Sequence, residues 1–271
     1  MLKEISVKVA EVIEKRGIKA IPTQTEKNGV PFYGITLGEG NVRPNIYLNE
    51  ENIEMDVEDI ADAIIETYNN APNMEEEYEK LASEFGMWLA VKDRIRPCIM
   101  KPLIDDYVTR PCLDLNIYYR AFVAPDASIV VKKNHLEVWG VTEQDLFETA
   151  MHNGKDTFVY RKLSDFLNEE MGEEIPDMPM WVATNEQRVF GASAMLNLDL
   201  LKNVADQIND DLVIIPSSVH EILLIGAGNM EAQIVGSMIT NVNEEVVAPT
   251  DVLSNHAYYY SREDNTVSIY E

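Results

Sequence analysis

Four side chains capable of acid–base or nucleophilic chemistry lie in one short stretch, Ile215-Pro-Ser-Ser-Val-His-Glu221. They are Ser217, Ser218, His220 and Glu221. A serine hydroxyl beside a histidine base, with a carboxylate to orient that base, is the arrangement that serine hydrolases use. Apolar residues flank the segment 216–221, here called the polar island, and burying polar groups costs free energy unless they find partners. The island is therefore either a site or the turn between two strands.

The sequence around these residues supports both interpretations. If the island is a strand, Ser218 and His220 point to one face and Glu221 points to the other. The chain also has no Gly-x-Ser-x-Gly elbow, the motif that exposes a nucleophile in many hydrolases. In the structural alternative, the segment forms a bend whose hydroxyls bond to the backbone. A hydrolase-like enzyme centred on the island is accordingly the alternative function, and the leading hypothesis is a protein without enzymatic activity.

The sequence predicts neither a metal nor a cofactor. The chain has four histidines, and no two of them have the His-x-x-x-His spacing that places two imidazoles on one helical face. Gly226-Ala-Gly228 resembles half of a dinucleotide fingerprint, but Glu231 occupies the third glycine position, where it would repel a pyrophosphate. There is no Walker-type Gly-x-x-x-x-Gly-Lys motif.

The strongest compositional signal is a formal net charge of −25, and this charge is unevenly distributed along the chain. Lys80 is the only basic residue between Glu54 and Met87, whereas the segment from Lys92 to Lys162 is close to balanced. Direct binding to nucleic acid or to anionic lipid is disfavoured, because the chain has no excess of cations to replace counterions.

The same charge predicts a basic protein as partner, bound by electrostatic docking or by imitation of a nucleic-acid backbone. The acids expected to make this interaction are Glu75, Glu76, Glu77, Glu173 and Glu174. The leading hypothesis is therefore a soluble acidic protein that binds another macromolecule.

Length and cysteine content indicate where the protein works. The chain of 271 residues has no apolar run near the roughly 18 residues that span a bilayer, and its start does not resemble a signal peptide. Its two cysteines, Cys98 and Cys112, are typical of free thiols in a reducing compartment. We therefore expect a cytoplasmic protein.

Hairpins separated by helices predict an α+β fold, with antiparallel sheets built from hairpins and helices packed on one face. Asn28-Gly29 marks the first hairpin, since a tight turn there needs positive φ. Two units are expected, residues 1–88 and 89–271, which could also form one continuous domain. Further predictions are a hairpin of 180–184 with 189–196, a short strand at 136–139 and a helix over 161–171.

Several short motifs follow one another along the chain, among them Leu113-Asp-Leu115, Val182-Ala-Thr-Asn185, Gly191-Ala192, Ile215-Pro-Ser-Ser-Val-His-Glu221, Val242-Asn243 and Leu253-Ser254 with Tyr258. In their order and over nearly the whole length, the chain resembles a family of uncharacterised bacterial proteins, catalogued as a domain of unknown function. The resemblance implies a shared α+β architecture and supplies no reaction, cofactor or site.

Overall fold

A computed structural model describes residues 1–39, 43–70, 83–102, 106–124, 127–172, 176–228 and 230–271. Contacts divide the chain into two compact units, Met1–Gly86 and Met87–Glu271. The domains expected from the sequence, residues 1–88 and 89–271, stay a prediction.

The first unit packs two helices against one face of a small antiparallel sheet. Helix α1 spans Leu2–Lys15, strands β1, β2 and β3 span Ala20–Lys27, Val30–Leu37 and Asn45–Tyr47, and helix α2 spans Val57–Asn70. The β1–β2 turn falls at Asn28-Gly29, both at positive φ, as the Asn-Gly signal predicts. Val9, Ile13, Ile35, Leu37 and Ile60 share one apolar core, which explains why the helices lie on the face that these residues line.

The second unit contains two antiparallel sheets. In the first, β4 (Ile95–Met100) pairs along one edge of β6 (Leu115–Ala124), while β5 (Thr109–Cys112) and β7 (Ala127–Val130) share the other edge. Pro97 is compatible with β4 because β4 is an edge strand, where a missing backbone donor is tolerated. The residues before it form helix α3 (Trp88–Val91) and a 3-10 turn (Lys92–Arg94).

The second sheet has six strands in the order β13-β12-β10-β11-β9-β8. The strands span Phe158–Lys162 (β8), Met180–Asn185 (β9), Leu212–Ile215 (β10), Ile222–Gly226 (β11), Tyr258–Ser261 (β12) and Thr266–Ile269 (β13). The helices of this unit after α3 span Lys133–Trp139 (α4), Glu143–Lys155 (α5), Leu163–Met171 (α6), Leu198–Ile208 (α7) and Ala232–Glu245 (α8).

Helices cover this six-stranded sheet on both faces. Val213 and Ile225 pack with Val235 and Ile239 of α8. Gly226, the neighbour of Ile225, faces the opposite side of the sheet, and α7 packs there. A Cβ added at Gly226 would lie only 3.0 Å from Ile208, the last residue of α7. Adjacent strand residues point to opposite faces, so strands buried on both sides read as continuous apolar runs, as β10 and β11 do.

The α+β fold with antiparallel sheets is confirmed. The prediction that helices pack on one face fails for the six-stranded sheet, because β10 and β11 are apolar on both sides and helices α7 and α8 cover them from opposite faces. Two local predictions are wrong, and one predicted helix starts two residues later than expected. Residues 189–196 do not return as a strand, since Gly191–Leu196 is a 3-10 helix entered at Phe190 with φ of 56°. Residues 136–139 belong to α4, which ends at Gly140 in the left-handed conformation, a typical helix terminator. The predicted helix over 161–171 begins at Leu163, because Arg161 and Lys162 belong to β8, which pairs with β9.

Candidate functional site

The polar island is the loop that joins β10 to β11. These two strands pair antiparallel up to Ile215 and Leu223, and the residues between them have no regular structure. The strand geometry considered for Ser218 and His220 therefore does not apply. The island's position is instead set by the two buried strands, which fix where the loop begins and ends.

Ser218 connects the middle of this loop to its C-terminal end. Its hydroxyl donates to Glu221 Oε1 at 2.8 Å and accepts from the backbone N–H of His220 at 2.9 Å. The backbone N–H of Ser218 also donates to the carbonyl of Glu221 at 3.3 Å. Since only 8% of Ser218 is exposed, these bonds satisfy a buried hydroxyl and hold the loop closed.

His220 is held by its backbone and by one ring nitrogen. Thr184 Oγ1 donates to the His220 carbonyl at 2.7 Å, and the backbone N–H of Phe190 donates to His220 Nδ1 at 3.2 Å. A neutral imidazole that accepts at Nδ1 carries its proton on Nε2. That nitrogen lies 3.8 Å from Asp251 Oδ1, which sequence reasoning did not connect with His220 because no local spacing links them.

The structure therefore pairs the four candidate residues differently from a hydrolase triad. Ser218 contacts Glu221, and the His220 ring faces Phe190 and Asp251. In the described part of the chain, no hydrogen bond joins the His220 ring to Ser217 or Ser218. A general base must lie within reach of the proton that it abstracts. The side-chain hydrogen bonds of Ser218 and His220 connect residues of the loop with one another and with Phe190.

Glycine at position 191 allows three of the motifs that carry the family resemblance to pack together at this loop. A Cβ at Gly191 would lie 2.3 Å from Thr184 Oγ1, 2.6 Å from the Asn185 nitrogen and 2.7 Å from the His220 carbonyl oxygen. Real Cβ contacts are longer than this, so only glycine fits without movement of the backbone. The motifs at 182–185, 191–192 and 215–221 thus form one packed junction.

A second polar cluster joins the β5–β6 turn to the segment before β12. Asp114 accepts from the Tyr258 hydroxyl at 2.9 Å, and its other oxygen lies 3.0 Å from His256 Nε2. Asn243 of α8 donates to the Ser254 carbonyl at 2.8 Å. Burial raises the pKa of the Tyr258 phenol above its usual range, which suits a hydroxyl that remains a hydrogen-bond donor. Sequence reasoning missed this cluster because its partners lie far apart along the chain.

The glycine pair Gly226 and Gly228 lies at the end of β11. The backbone N–H of Gly228, which a pyrophosphate would need, donates to Asp210 Oδ2 at 2.8 Å. Across the ranges that the structure describes, no three His, Cys, Asp or Glu side chains gather as a metal site. Cys98 and Cys112 are free thiols, and burial raises the pKa of Cys98 to about 12.

The five acids expected to contact a partner lie outside the described residues. Glu75, Glu76 and Glu77 fall in the gap at 71–82, and Glu173 and Glu174 fall in the gap at 173–175. Their role stays a prediction. None of the helices in the described ranges has the length and apolar character needed to cross a membrane.

Comparison with known proteins gives one match. The model of a family of unknown function, DUF5688, matches residues 2–262. No curated protein and no solved structure matches this chain. A match of this extent shows that the chain belongs to the DUF5688 family, whose function is unknown.

Proposed function

We propose that this chain is a binding protein without enzymatic activity, whose partner is a macromolecule with a basic surface. One observation carries the proposal: no lysine or arginine occurs between Lys202 and Arg262, although this stretch contains eight aspartates and glutamates. It builds β10, β11, α8 and β12 of the second unit. Charge of one sign on a rigid scaffold attracts a partner of opposite sign and raises its rate of association.

The two cations that border this stretch support the proposal because both are already paired. Lys202 Nζ lies 3.2 Å from Asp206 Oδ2, and Arg262 Nη2 lies 2.9 Å from the other oxygen of the same carboxylate. Both cations therefore pair with Asp206 of α7. The carboxylates of α8 receive no such partner from their own helix, which has no basic residue in its last turn.

The contacts of the polar island are consistent with a protein that binds rather than catalyses. The hydroxyl of Ser218 and Nδ1 of His220 are both used to fix loops, which leaves the candidate nucleophile without its base. The proposal places the chain in the cytoplasm of a bacterium, as its free thiols and the sequence resemblance suggest. Imitation of a nucleic-acid backbone is one form that such binding could take.

The test measures the affinity of the full chain for polylysine, and for a basic and an acidic globular protein of similar size, over a range of salt concentrations. We expect the basic probes alone to bind, more weakly as salt rises, because screening shortens the range of the attraction. Reversing Glu231, Glu244 and Glu245 to lysine should weaken binding about tenfold or more. Reversing the exposed acids Glu137, Glu148 and Asp156 is the matched control and should change it far less.

Two results would overturn the proposal. The first is no binding to any basic probe at low salt. The second is hydrolysis of ester or peptide substrates by the purified chain that Ser217→Ala or Ser218→Ala abolishes while the variant remains folded, because that would make the polar island catalytic.

A further inference from the structure

Helix α8 carries an apolar stripe that does not face the core. Val235 and Ile239 point inward and are buried, whereas Ile234, Met238 and Val242 recur every four residues with exposures of 57%, 59% and 50%. Val246, the residue directly after the helix, is 78% exposed. A spacing of four places side chains on one face of a helix. Helix α8 therefore has one apolar face that packs on the sheet and further apolar side chains that are exposed to solvent.

A groove of about 230 Å³ runs beside this stripe. Leu223 and Ile225 of β11 line it from the sheet, Met238 and Val242 line it from α8, and Ser217 of the polar island lies at its edge. Contiguous apolar surface of this kind marks an interaction site in a soluble protein. Methionine, as at Met180, Met230 and Met238, adapts to partners of varied shape.

The charges around the groove identify its occupant. Glu231 directly precedes α8, and Glu244 and Glu245 are its last two residues, so carboxylates bracket the apolar stripe. The two C-terminal glutamates stand at the negative end of the helix dipole, where acids are unfavourable and cations are stabilising. A second copy of this chain would bring the same acids to the same place and be repelled.

We infer that the groove beside α8 binds an amphipathic helix of a partner protein, with apolar residues in the groove and lysines or arginines at Glu231, Glu244 and Glu245. Laying the apolar face of a helix into such a groove is a common mode of recognition. Helix α8 has 14 residues and is about 21 Å long, so it can support about four turns of a docked helix. The inference rests on the proposed function and specifies the partner's structure.

The experiment titrates the full chain with a labelled synthetic peptide of about 18 residues, long enough to cover α8, with leucines on one helical face and lysines on the other. A peptide of the same composition in scrambled order keeps the charge but loses the apolar face. We expect the ordered peptide to bind at least tenfold more tightly than the scrambled one, since burial of apolar side chains drives the docking.

Variants locate the binding surface. The double change Ile234→Asn and Met238→Asn should weaken the ordered peptide about tenfold or more. Leu89→Asn with Val138→Asn removes even more exposed apolar residues elsewhere in the second unit, at 79% and 65% exposure, and should leave the affinity unchanged. Glu244→Gln with Glu245→Gln should weaken binding severalfold and flatten its salt dependence, whereas Glu137→Gln with Glu148→Gln should not.

The outcomes separate this inference from the proposed function. If both peptides bind equally and the α8 variants have no effect, the groove is not the site, although binding to basic partners stands. Self-association of the chain that Met238→Asn abolishes would also overturn the inference, because the occupant would be a second copy. If no basic probe binds, the proposed function fails as well.

Discussion

The serine, histidine and glutamate of the polar island show how the same residue types serve catalysis or structure, depending on their partners. Ser218 is engaged on both sides, as donor to Glu221 and as acceptor from the His220 backbone. The carbonyl of His220 accepts a hydrogen bond from the Thr184 hydroxyl, and its Nδ1 accepts one from the backbone N–H of Phe190. Because a loop between two buried strands must satisfy its own backbone, this use of polar side chains follows from the loop's position.

Replacing Ser218 with alanine should destabilise the protein rather than remove an activity. The change leaves the backbone N–H of His220 and the Glu221 carboxylate without a buried partner, which costs about 1–3 kcal/mol of unfolding free energy. Chemical denaturation of the purified variant measures this loss. Ser217→Ala is the matched control, expected within about 0.5 kcal/mol of the parent, because no described residue hydrogen-bonds to the Ser217 side chain. Equal stability of the two variants would contradict the structural role.

Glu143 should make stability depend on pH. Its carboxylate accepts from Arg110 Nη2 at 2.7 Å, from Arg110 Nε at 3.0 Å and from the Tyr119 hydroxyl at 3.0 Å. The Arg110 hydrogen bond, the largest influence, lowers the pKa of Glu143 from the ordinary value of 4.5. A lowered folded-state pKa means that the stabilisation is fully present above that ordinary value and is lost as pH falls through the lower folded value.

The Glu143→Gln variant tests this dependence. We expect it to be less stable than the parent at neutral pH by about 1 kcal/mol, a figure reduced for the partial exposure of the pair. The difference should shrink as pH falls below about 4.5. Denaturation curves across that range measure it, with Glu137→Gln as an exposed control. A difference that stays constant with pH would show that the carboxylate's charge is not what stabilises the fold.

At the scale of elements, patterns that depend on neighbouring residues could be read from the sequence. The Asn28-Gly29 turn is in place, and Thr142 caps α5 through reciprocal bonds with Asp145. The apolar runs of β10 and β11 are likewise strands buried on both faces.

Features that depend on distant partners could not be predicted. Residues 189–196 look like a strand, but Phe190 adopts a φ of 56° and Gly191–Leu196 forms a 3-10 helix in which Gly191 to Met195 are all buried. The contacts of His220 with Asp251 and of Asp114 with His256 join residues whose separation in sequence carries no signal. For the candidate site, residue types could be recognised, whereas their pairing is decided by the tertiary fold.

Two glycines in the second unit should respond to alanine in opposite directions. Gly191→Ala places a Cβ within 2.3 to 2.7 Å of Thr184, Asn185 and His220, so the backbone must shift, at a cost of about 1–3 kcal/mol or more. Gly236→Ala lies within α8 with its nearest contact at 3.9 Å, so better helix propensity should stabilise by up to about 1 kcal/mol. Thermal and chemical unfolding measure both. Destabilisation of similar size in both variants would contradict the packing at Gly191.

The whole molecule combines ordinary cores with an extreme charge. The first unit has its own apolar core around Val9, Ile35 and Ile60, and the second is built on two sheets. Surface ion pairs such as Lys155–Asp199 and Lys162–Asp177 offset part of the charge locally. With 47 acidic side chains against 22 lysines and arginines, a surplus of 25 acids has no lysine or arginine available within the chain.

This surplus predicts that added salt stabilises the isolated protein. Raising ionic strength from about 0.01 M to about 0.15 M shortens the Debye length from about 30 Å to about 8 Å, which weakens repulsion among the surplus carboxylates. The same salt weakens exposed ion pairs, but each of these contributes no more than about 1 kcal/mol. We therefore expect the melting temperature to rise by several degrees in sodium chloride.

Choline chloride at equal ionic strength should act similarly, since screening does not depend on the identity of the cation. A basic partner should raise the melting temperature further. A melting temperature that falls with salt would mean that ion pairs outweigh repulsion, and relief of repulsion would then not contribute to binding a basic partner.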